Sequence, residues 1–115
     1  MERMKIVEDH AAFAQALGFV LGKGTHISLA RTLEEGRAMI RTTEPFDVVL
    51  DLSLPAGEGT DLIPEIRQRY PQTRVVILSA RDDVGEVASE AGADASLPKE
   101  TPLPEIISFL KLLAE

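Results

Sequence analysis

Residues 46–52 read Phe-Asp-Val-Val-Leu-Asp-Leu, a nearly continuous apolar run that is interrupted by Asp47 and Asp51. Continuous apolarity, rather than alternation with polar residues, is typical of a strand that is covered on both faces. A second run of this kind, Val75-Val76-Ile77-Leu78, lies within a strand predicted for Arg74 to Ser79. Two such strands predict a parallel sheet at the centre of the fold.

Shorter strands and amphipathic helices alternate around these two runs. Further strands are predicted at Met4 to Val7, Thr25 to Ala30 and Ala95 to Leu97. Apolar residues between the strands recur at helical spacing. Helices are predicted over 13–21, from 33 to the breaking pair Glu44-Pro45, over 62–70, from Asp82 to Ala91 and from 102 onward. A loop is predicted from Pro55 to Gly59.

Several residues mark where these helices begin and end. Thr32 and Glu35 have the spacing of a capping box at the start of the second helix. Gly92 is placed to end the fourth helix as a C′ glycine. Thr101 is predicted to cap the fifth helix, with Pro102 at its first position.

The resulting order is (βα)₅. Strictly alternating units of this kind predict an α/β fold, a doubly wound five-stranded parallel sheet with helices on both faces. A chain of 115 residues fits one such domain, so residues 1–115 are expected to form it without a second domain.

Composition and charge exclude several kinds of site and partner. The chain has no cysteine, which excludes disulfides and thiolate metal sites. Its formal net charge is −7, so we expect no direct nucleic-acid binding by this chain, because that affinity comes mainly from Lys and Arg. No apolar run reaches the length of a membrane span, and the start of the chain is not a signal peptide. These features predict a cytoplasmic protein without membrane contact.

Polar side chains are predicted at the carboxyl ends of four strands. Ligands bind at this edge in open parallel sheets. The residues expected there are Glu8, Asp9, Asp51, Ser79 and Lys99. Three converging carboxylates raise each other's pKa unless a cation lies among them, and such oxygen ligands favour Mg²⁺. A carboxylate can also act as a nucleophile and form an aspartyl phosphate, with a lysine and a hydroxyl binding the phosphoryl oxygens.

Five short motifs along the chain extend this pattern. They are Ile6-Val7-Glu8-Asp9-His10, Asp51-Leu52-Ser53-Leu54-Pro55 with Glu58-Gly59, Leu78-Ser79-Ala80, Ala91-Gly92-Ala93-Asp94 and Pro98-Lys99-Glu100. In this order, they resemble the receiver domains of two-component response regulators, which have the CheY-like, flavodoxin-like fold. The resemblance covers the whole chain, and the residues of the first two motifs are most similar to receivers that precede a NarL/FixJ-type output domain.

The resemblance implies a role for each site residue. Asp51 would be the phosphoacceptor, and Ser79 and Lys99 would bind the phosphoryl group. The metal, Mg²⁺ or Mn²⁺, would be held by Glu8, Asp9, Asp51 and the backbone carbonyl of Ser53. No organic cofactor is implied.

The resemblance also implies partners. The donor would be a sensor histidine kinase or a phosphotransfer protein. The output would be a homodimer, an output domain or a partner protein, as in transcription regulation. The chain would thus be a regulatory domain that catalyses only its own phosphoryl transfer and dephosphorylation.

Several positions depart from the family pattern. Ser96 stands where receivers usually carry Tyr or Phe, so the usual movement of a ring between two positions is not available. The segment from Ser79 to Gly92 is short and contains Gly85, and the third strand is a residue short before Asp51. Lys99 is preceded by proline and followed by glutamate, whereas many receivers have proline after the lysine.

Two alternative functions compete with a phosphorylation switch, and the departures favour only the first of them. The first is a degenerate receiver that binds partners without phosphorylation. The second is a phosphohydrolase with an aspartate nucleophile, but such enzymes carry a second Asp two residues on, where this chain has Ser53. We expect His10 and His26 to face solvent and assign neither to the metal. Arg81, at the rim of the site, is a candidate modulator of water access.

Overall fold

The computed structural model describes residues 2–21, 26–54 and 57–113. Strands and helices alternate through these residues, which confirms the predicted (βα)₅ order. The strands of the main sheet are β1 (Glu2–Val7), β2 (Ile27–Ala30), β3 (Pro45–Asp51), β4 (Arg74–Ser79) and β5 (Ala95–Pro98). The helices are α1 (Ala11–Leu21), α2 (Leu33–Ile40), α3 (Ile63–Arg69), α4 (Val84–Ala91) and α5 (Leu103–Leu113).

The main sheet is parallel throughout and has the strand order β2-β1-β3-β4-β5. The strand order reverses between β1 and β3, because the crossover after β1 leads toward one edge of the sheet and the crossover after β3 leads toward the other. The carboxyl ends of β1 and β3 therefore flank a crevice that no crossover covers.

The two faces of the sheet have separate hydrophobic cores. Val48 and Leu50 pack on the face that α2, α3 and α4 cover. Val49 packs on the opposite face, under α1 and α5. All three side chains are almost fully buried, as the continuous apolar run of β3 predicts.

Helix ends follow the sequence signals in part. The Thr32 hydroxyl accepts a hydrogen bond from the backbone of Glu35 at 3.0 Å. The Glu35 carboxylate accepts from the backbone N–H of Arg31 at 3.1 Å instead of from Thr32, so the predicted capping box is only half formed. Gly92 adopts φ +85° after α4, which confirms it as the C′ glycine, because this conformation is unfavourable for side chains with a Cβ.

The start of α5 differs from its prediction by one residue. The helix begins at Leu103, and the carbonyl of Pro102 accepts from the backbone N–H of Ile106 at 3.1 Å. Pro102 therefore precedes the first helical residue instead of occupying that position, and the predicted assignment of Thr101 as the cap is displaced with it.

Other boundaries also shift. α4 begins at Val84, not at Asp82, because Asp83 has a backbone conformation outside the helical region. α2 ends at Ile40, well before the Glu44-Pro45 pair. β5 continues one residue beyond Leu97, and the predicted start of β2 at Thr25 lies outside the described residues.

The predicted loop after β3 has structure of its own. Ser53–Leu54 and Gly57–Glu58 form a short antiparallel pair, and Pro55 between them lies outside the described residues. A 3₁₀ turn at Gly59–Leu62 then leads into α3.

No described helix combines the length and the apolar composition that a bilayer span requires.

Candidate functional site

The five residues expected at the carboxyl edge of the sheet all lie there. Glu8 and Asp9 directly follow β1, and Asp51 is the last residue of the neighbouring β3. Ser79 ends β4, and Lys99 follows the last residue of β5. The acidic residues thus flank the crevice at which the strand order reverses, the usual ligand position in this fold class.

Three carboxylates converge at this point. Oxygens of Glu8, Asp9 and Asp51 lie within 4.8 Å of one another. Glu8 is 2% exposed and Asp51 5% exposed, whereas Asp9 faces solvent. Oxygen donors of this kind, open to water on one side, fit a small divalent cation that keeps some of its waters.

Lys99 lies against two of these carboxylates. Its Nζ is 2.7 Å from Oε1 of Glu8 and 3.2 Å from Oδ2 of Asp51. The backbone N–H of Lys99 donates to the carbonyl of Ser79 at 2.8 Å, which ties the lysine to the end of β4. The ammonium therefore compensates part of the negative charge that the acids bring together.

This compensation is incomplete at Asp51. Burial, followed by the charge of Glu8, raises the pKa of Asp51 to about 7, against a smaller opposing effect of Lys99. Burial also raises the pKa of Asp9, but hydrogen bonds to Asp51 and Glu8 outweigh it and hold that pKa below its usual value. The ionised form of Asp51 is therefore disfavoured in the absence of metal, and a bound cation would favour it.

Burial likewise opposes the charge of Lys99, but its effect is outweighed. The hydrogen bond to Glu8 and the charges of Glu8 and Asp51 raise the pKa of Lys99 above its ordinary value. The lysine is therefore a fixed positive charge over the physiological pH range.

The segments around Asp51 and Ser79 are held by backbone contacts. The N–H of Ser53 donates to Oδ1 of Asp51 at 3.3 Å. Gly59 passes so close to Asp51 that an added Cβ would lie 2.0 Å from its carbonyl oxygen. Ser79 is buried, and its Oγ accepts from the N–H of Arg81 at 3.1 Å.

Both histidines lie outside the acidic cluster. His10 precedes α1, its carbonyl accepts from the backbone of Ala14, and its side chain is exposed. His26 is also exposed, just before β2. Both placements confirm the expectation that these residues face solvent.

Three contacts at the site were not predicted. The Phe13 ring lies 5.3 Å from Nζ of Lys99, measured to the ring centroid. Arg81 pairs with Asp83 at 2.8 Å and with Glu58 at 3.2 Å, and so joins the start of α4 to the hairpin after β3. The helical spacing of Phe13 indicates a core residue and carries no signal for the lysine contact.

A parallel sheet with this strand order, and an acidic cluster with a lysine at its carboxyl edge, define a CheY-like α/β domain. The chain belongs to the response regulator receiver domain family, whose sequence profile matches residues 4–111. The family assignment expected from the motifs is therefore confirmed.

Individual proteins are similar over nearly the whole chain. The KDP operon transcriptional regulatory protein KdpE of Escherichia coli K12 is 35% identical over 115 residues, which cover 97% of this chain and 51% of KdpE. This chain thus spans about half the length of the curated relatives it matches.

Two solved structures show the same architecture. The non-phosphorylated HemR receiver domain from Leptospira biflexa is 28% identical, with a TM-score of 0.89 over all of this chain and 95% of that one. The response regulator TrrA from Thermotoga maritima, in complex with Mg(2+)-BeF, is 25% identical, with a TM-score of 0.81 over 98% of this chain and 99% of that one.

Proposed function

We propose that this chain accepts a phosphoryl group on Asp51 in a Mg²⁺-dependent reaction and thereby switches a docking or dimerisation surface. The observation that carries the proposal is the placement of the Lys99 ammonium between Glu8 and Asp51, 2.7 and 3.2 Å from their oxygens. A buried nucleophilic carboxylate, a fixed positive charge and a hydroxyl at one sheet edge are the groups that phosphoryl transfer requires.

The metal would be held by Glu8, Asp9 and Asp51, with the backbone carbonyl of Ser53 as a further ligand. The convergence of three carboxylates within 4.8 Å and the raised pKa of Asp51 support this set. Bound Mg²⁺, or Mn²⁺, would supply positive charge to the carboxylates and to the phosphoryl oxygens.

Asp51 would act as the nucleophile. One of its carboxylate oxygens forms a bond to phosphorus as the P–N bond of a phosphohistidine breaks, and the imidazole nitrogen keeps the electron pair of that bond. Lys99 moves from the carboxylates to a phosphoryl oxygen, where its charge stabilises the transition state. Ser79 donates its hydroxyl hydrogen to another phosphoryl oxygen.

The donor would be a sensor histidine kinase or a phosphotransfer protein in the cytoplasm. Membership in the receiver family and the transcriptional regulators among the relatives support this assignment. The chain would catalyse its own phosphorylation and dephosphorylation and no other reaction, and the output would be dimerisation or contact with an output domain or partner.

Ser96 supports a second candidate, a receiver that docks on partners without phosphorylation. This half-buried serine lies in β5, where the family usually carries an aromatic ring, so a ring movement cannot report the state of Asp51. The two candidates differ in one observable. A phosphorylation switch changes its oligomeric state or partner affinity when Mg²⁺ and beryllofluoride are added, whereas constitutive docking does not respond to them.

Intact-mass measurement tests the proposal. The protein is incubated with acetyl phosphate, with Mg²⁺ or with a chelator, as wild type, Asp51→Asn and the exposed control Asp82→Asn. We expect one phosphoryl adduct in wild type and the control, dependent on Mg²⁺, and none in Asp51→Asn. An adduct of equal yield in Asp51→Asn would refute the proposal.

A further inference from the structure

The ammonium of Lys99 has two kinds of neighbour. On one side lie the carboxylates of Glu8 and Asp51, and the ring of Phe13 lies 5.3 Å away. Phe13 is on the first turn of α1, four residues after Asp9 in the chain. A cation this close to an aromatic ring is attracted by the negative charge of its face.

The ring is itself held in place. Phe13 is partly buried against the core that Ile6, Leu78 and Ile106 form under α1 and α5. An aromatic side chain has few rotatable bonds, so a ring packed in this way offers a fixed surface to the long, flexible lysine.

A divalent cation changes the balance between these neighbours. The oxygens of Glu8 and Asp51 that now accept from Lys99 also belong to the carboxylates that converge within 4.8 Å. A cation on those oxygens competes with Lys99 for them and repels its charge. The Phe13 ring is uncharged and bears no metal-binding atom, so the cation does not compete for its contact with Lys99.

We propose that Phe13 is a positioning residue that keeps the Lys99 ammonium at the phosphoryl site when metal binds to Glu8 and Asp51. The inference rests on the proposed function, because positioning of Lys99 matters through the phosphoryl group that it contacts. Phe13 touches neither the phosphoryl group nor the metal in this account and acts through Lys99.

The rate of phosphorylation tests the proposal. Phe13→Leu keeps an apolar side chain but removes the ring, Phe13→Tyr keeps the ring, and Phe19→Leu is a matched control on the exposed side of α1. With acetyl phosphate and Mg²⁺, we expect Phe13→Leu to react about three- to thirty-fold more slowly than wild type, which corresponds to a partly desolvated cation–π contact. Phe13→Tyr and Phe19→Leu should react at the wild-type rate.

A double-mutant cycle separates positioning from packing. In a Lys99→Met background, Phe13→Leu should have no further effect on the rate, because the cation that the ring attracts is gone. The same slowing in both backgrounds, or equal slowing by Leu and Tyr, would overturn the proposal.

Magnetic resonance of the lysine methylenes gives a readout that needs no phosphorylation. The ring should change the chemical shift of the protons on Cε of Lys99. This change should persist when Mg²⁺ is added, survive in Phe13→Tyr and vanish in Phe13→Leu. Loss of the shift on Mg²⁺ addition to wild type would overturn the inference, whether or not an adduct forms. Failure of wild type to form an adduct, with the shift retained, would refute the proposed function instead.

Discussion

Nζ of Lys99 lies 3.2 Å from Oδ2 of Asp51, although 48 positions separate the two residues in the sequence. The contact arises from the order of the sheet, in which β4 lies between the strands that end at Asp51 and just before Lys99. The register of β3 on β4 and of β4 on β5 brings both ends to the same edge.

The stability of the metal-free protein should decrease as pH rises toward neutrality. Because the pKa of Asp51 is raised from 3.8 to about 7, the folded state binds this proton more tightly than the unfolded state. The stabilising contribution is therefore complete below about pH 4 and is lost as pH rises through about 7. Urea unfolding at pH 5 and at pH 8, in the presence of a chelator, measures this change in the free energy of unfolding.

Asp51→Asn provides the comparison for this pH effect. Asparagine does not titrate, so the variant should lose less stability than wild type between the two pH values and be the more stable protein at pH 8. The control Asp82→Asn should follow wild type. Equal pH dependence in wild type and Asp51→Asn would show that Asp51 does not carry the raised pKa.

Mg²⁺ affinity should rise with pH up to neutrality. The carboxylate must lose its proton before it binds metal, so affinity should change by about tenfold per pH unit below the pKa of Asp51. Isothermal titration calorimetry at pH 6 and pH 8 measures the difference, and proton release shows in buffers of different ionisation enthalpy. A pH-independent affinity would place the metal away from Asp51.

Lys99→Met should separate metal binding from phosphoryl transfer. Methionine has a similar length but no charge, so the phosphoryl oxygens lose a preorganised cation, and the rate with acetyl phosphate should fall by about 100-fold. The three carboxylates remain, and Mg²⁺ should still bind. A wild-type phosphorylation rate in this variant would exclude a role for Lys99 in the reaction.

Gly59→Ala should disturb the segment that carries Asp51. The added methyl group would lie 2.0 Å from the carbonyl oxygen of Asp51, and the backbone would have to shift. We expect a loss of about 1–3 kcal/mol in the free energy of unfolding. Gly85→Ala is the control, because that exposed helical glycine has nothing within 4 Å and should be stabilised by alanine. Equal effects of the two substitutions would contradict the close approach.

Sequence patterns predicted the sheet and the location of the site because both depend on strong signals. Continuous apolarity of β3 and β4 reflects burial on two faces, and the structure buries Val48, Val49 and Ile77 accordingly. The carboxyl ends of parallel strands meet at one edge, so the placement of Asp51 and Lys99 followed from strand assignment alone.

Features that depend on tertiary contacts were not predictable. The hairpin of Ser53–Leu54 with Gly57–Glu58 has strands too short to show an alternating pattern in the sequence. The Phe13 ring has the spacing of a core residue, and its contact with Lys99 depends on the tertiary packing that brings the first turn of α1 next to the lysine. The first residues of α4 and α5, Val84 and Leu103, lie one or two residues after the predicted starts, because local backbone conformation decides where a helix begins.

Reductive trapping identifies the phosphorylated residue itself. Borohydride converts an aspartyl phosphate to homoserine, so the protein is treated with acetyl phosphate and Mg²⁺, reduced, digested and sequenced by mass spectrometry. We predict homoserine at position 51, absent when Mg²⁺ is chelated. Homoserine at another aspartate, with residue 51 unmodified, would contradict the assignment of Asp51 as the phosphoacceptor.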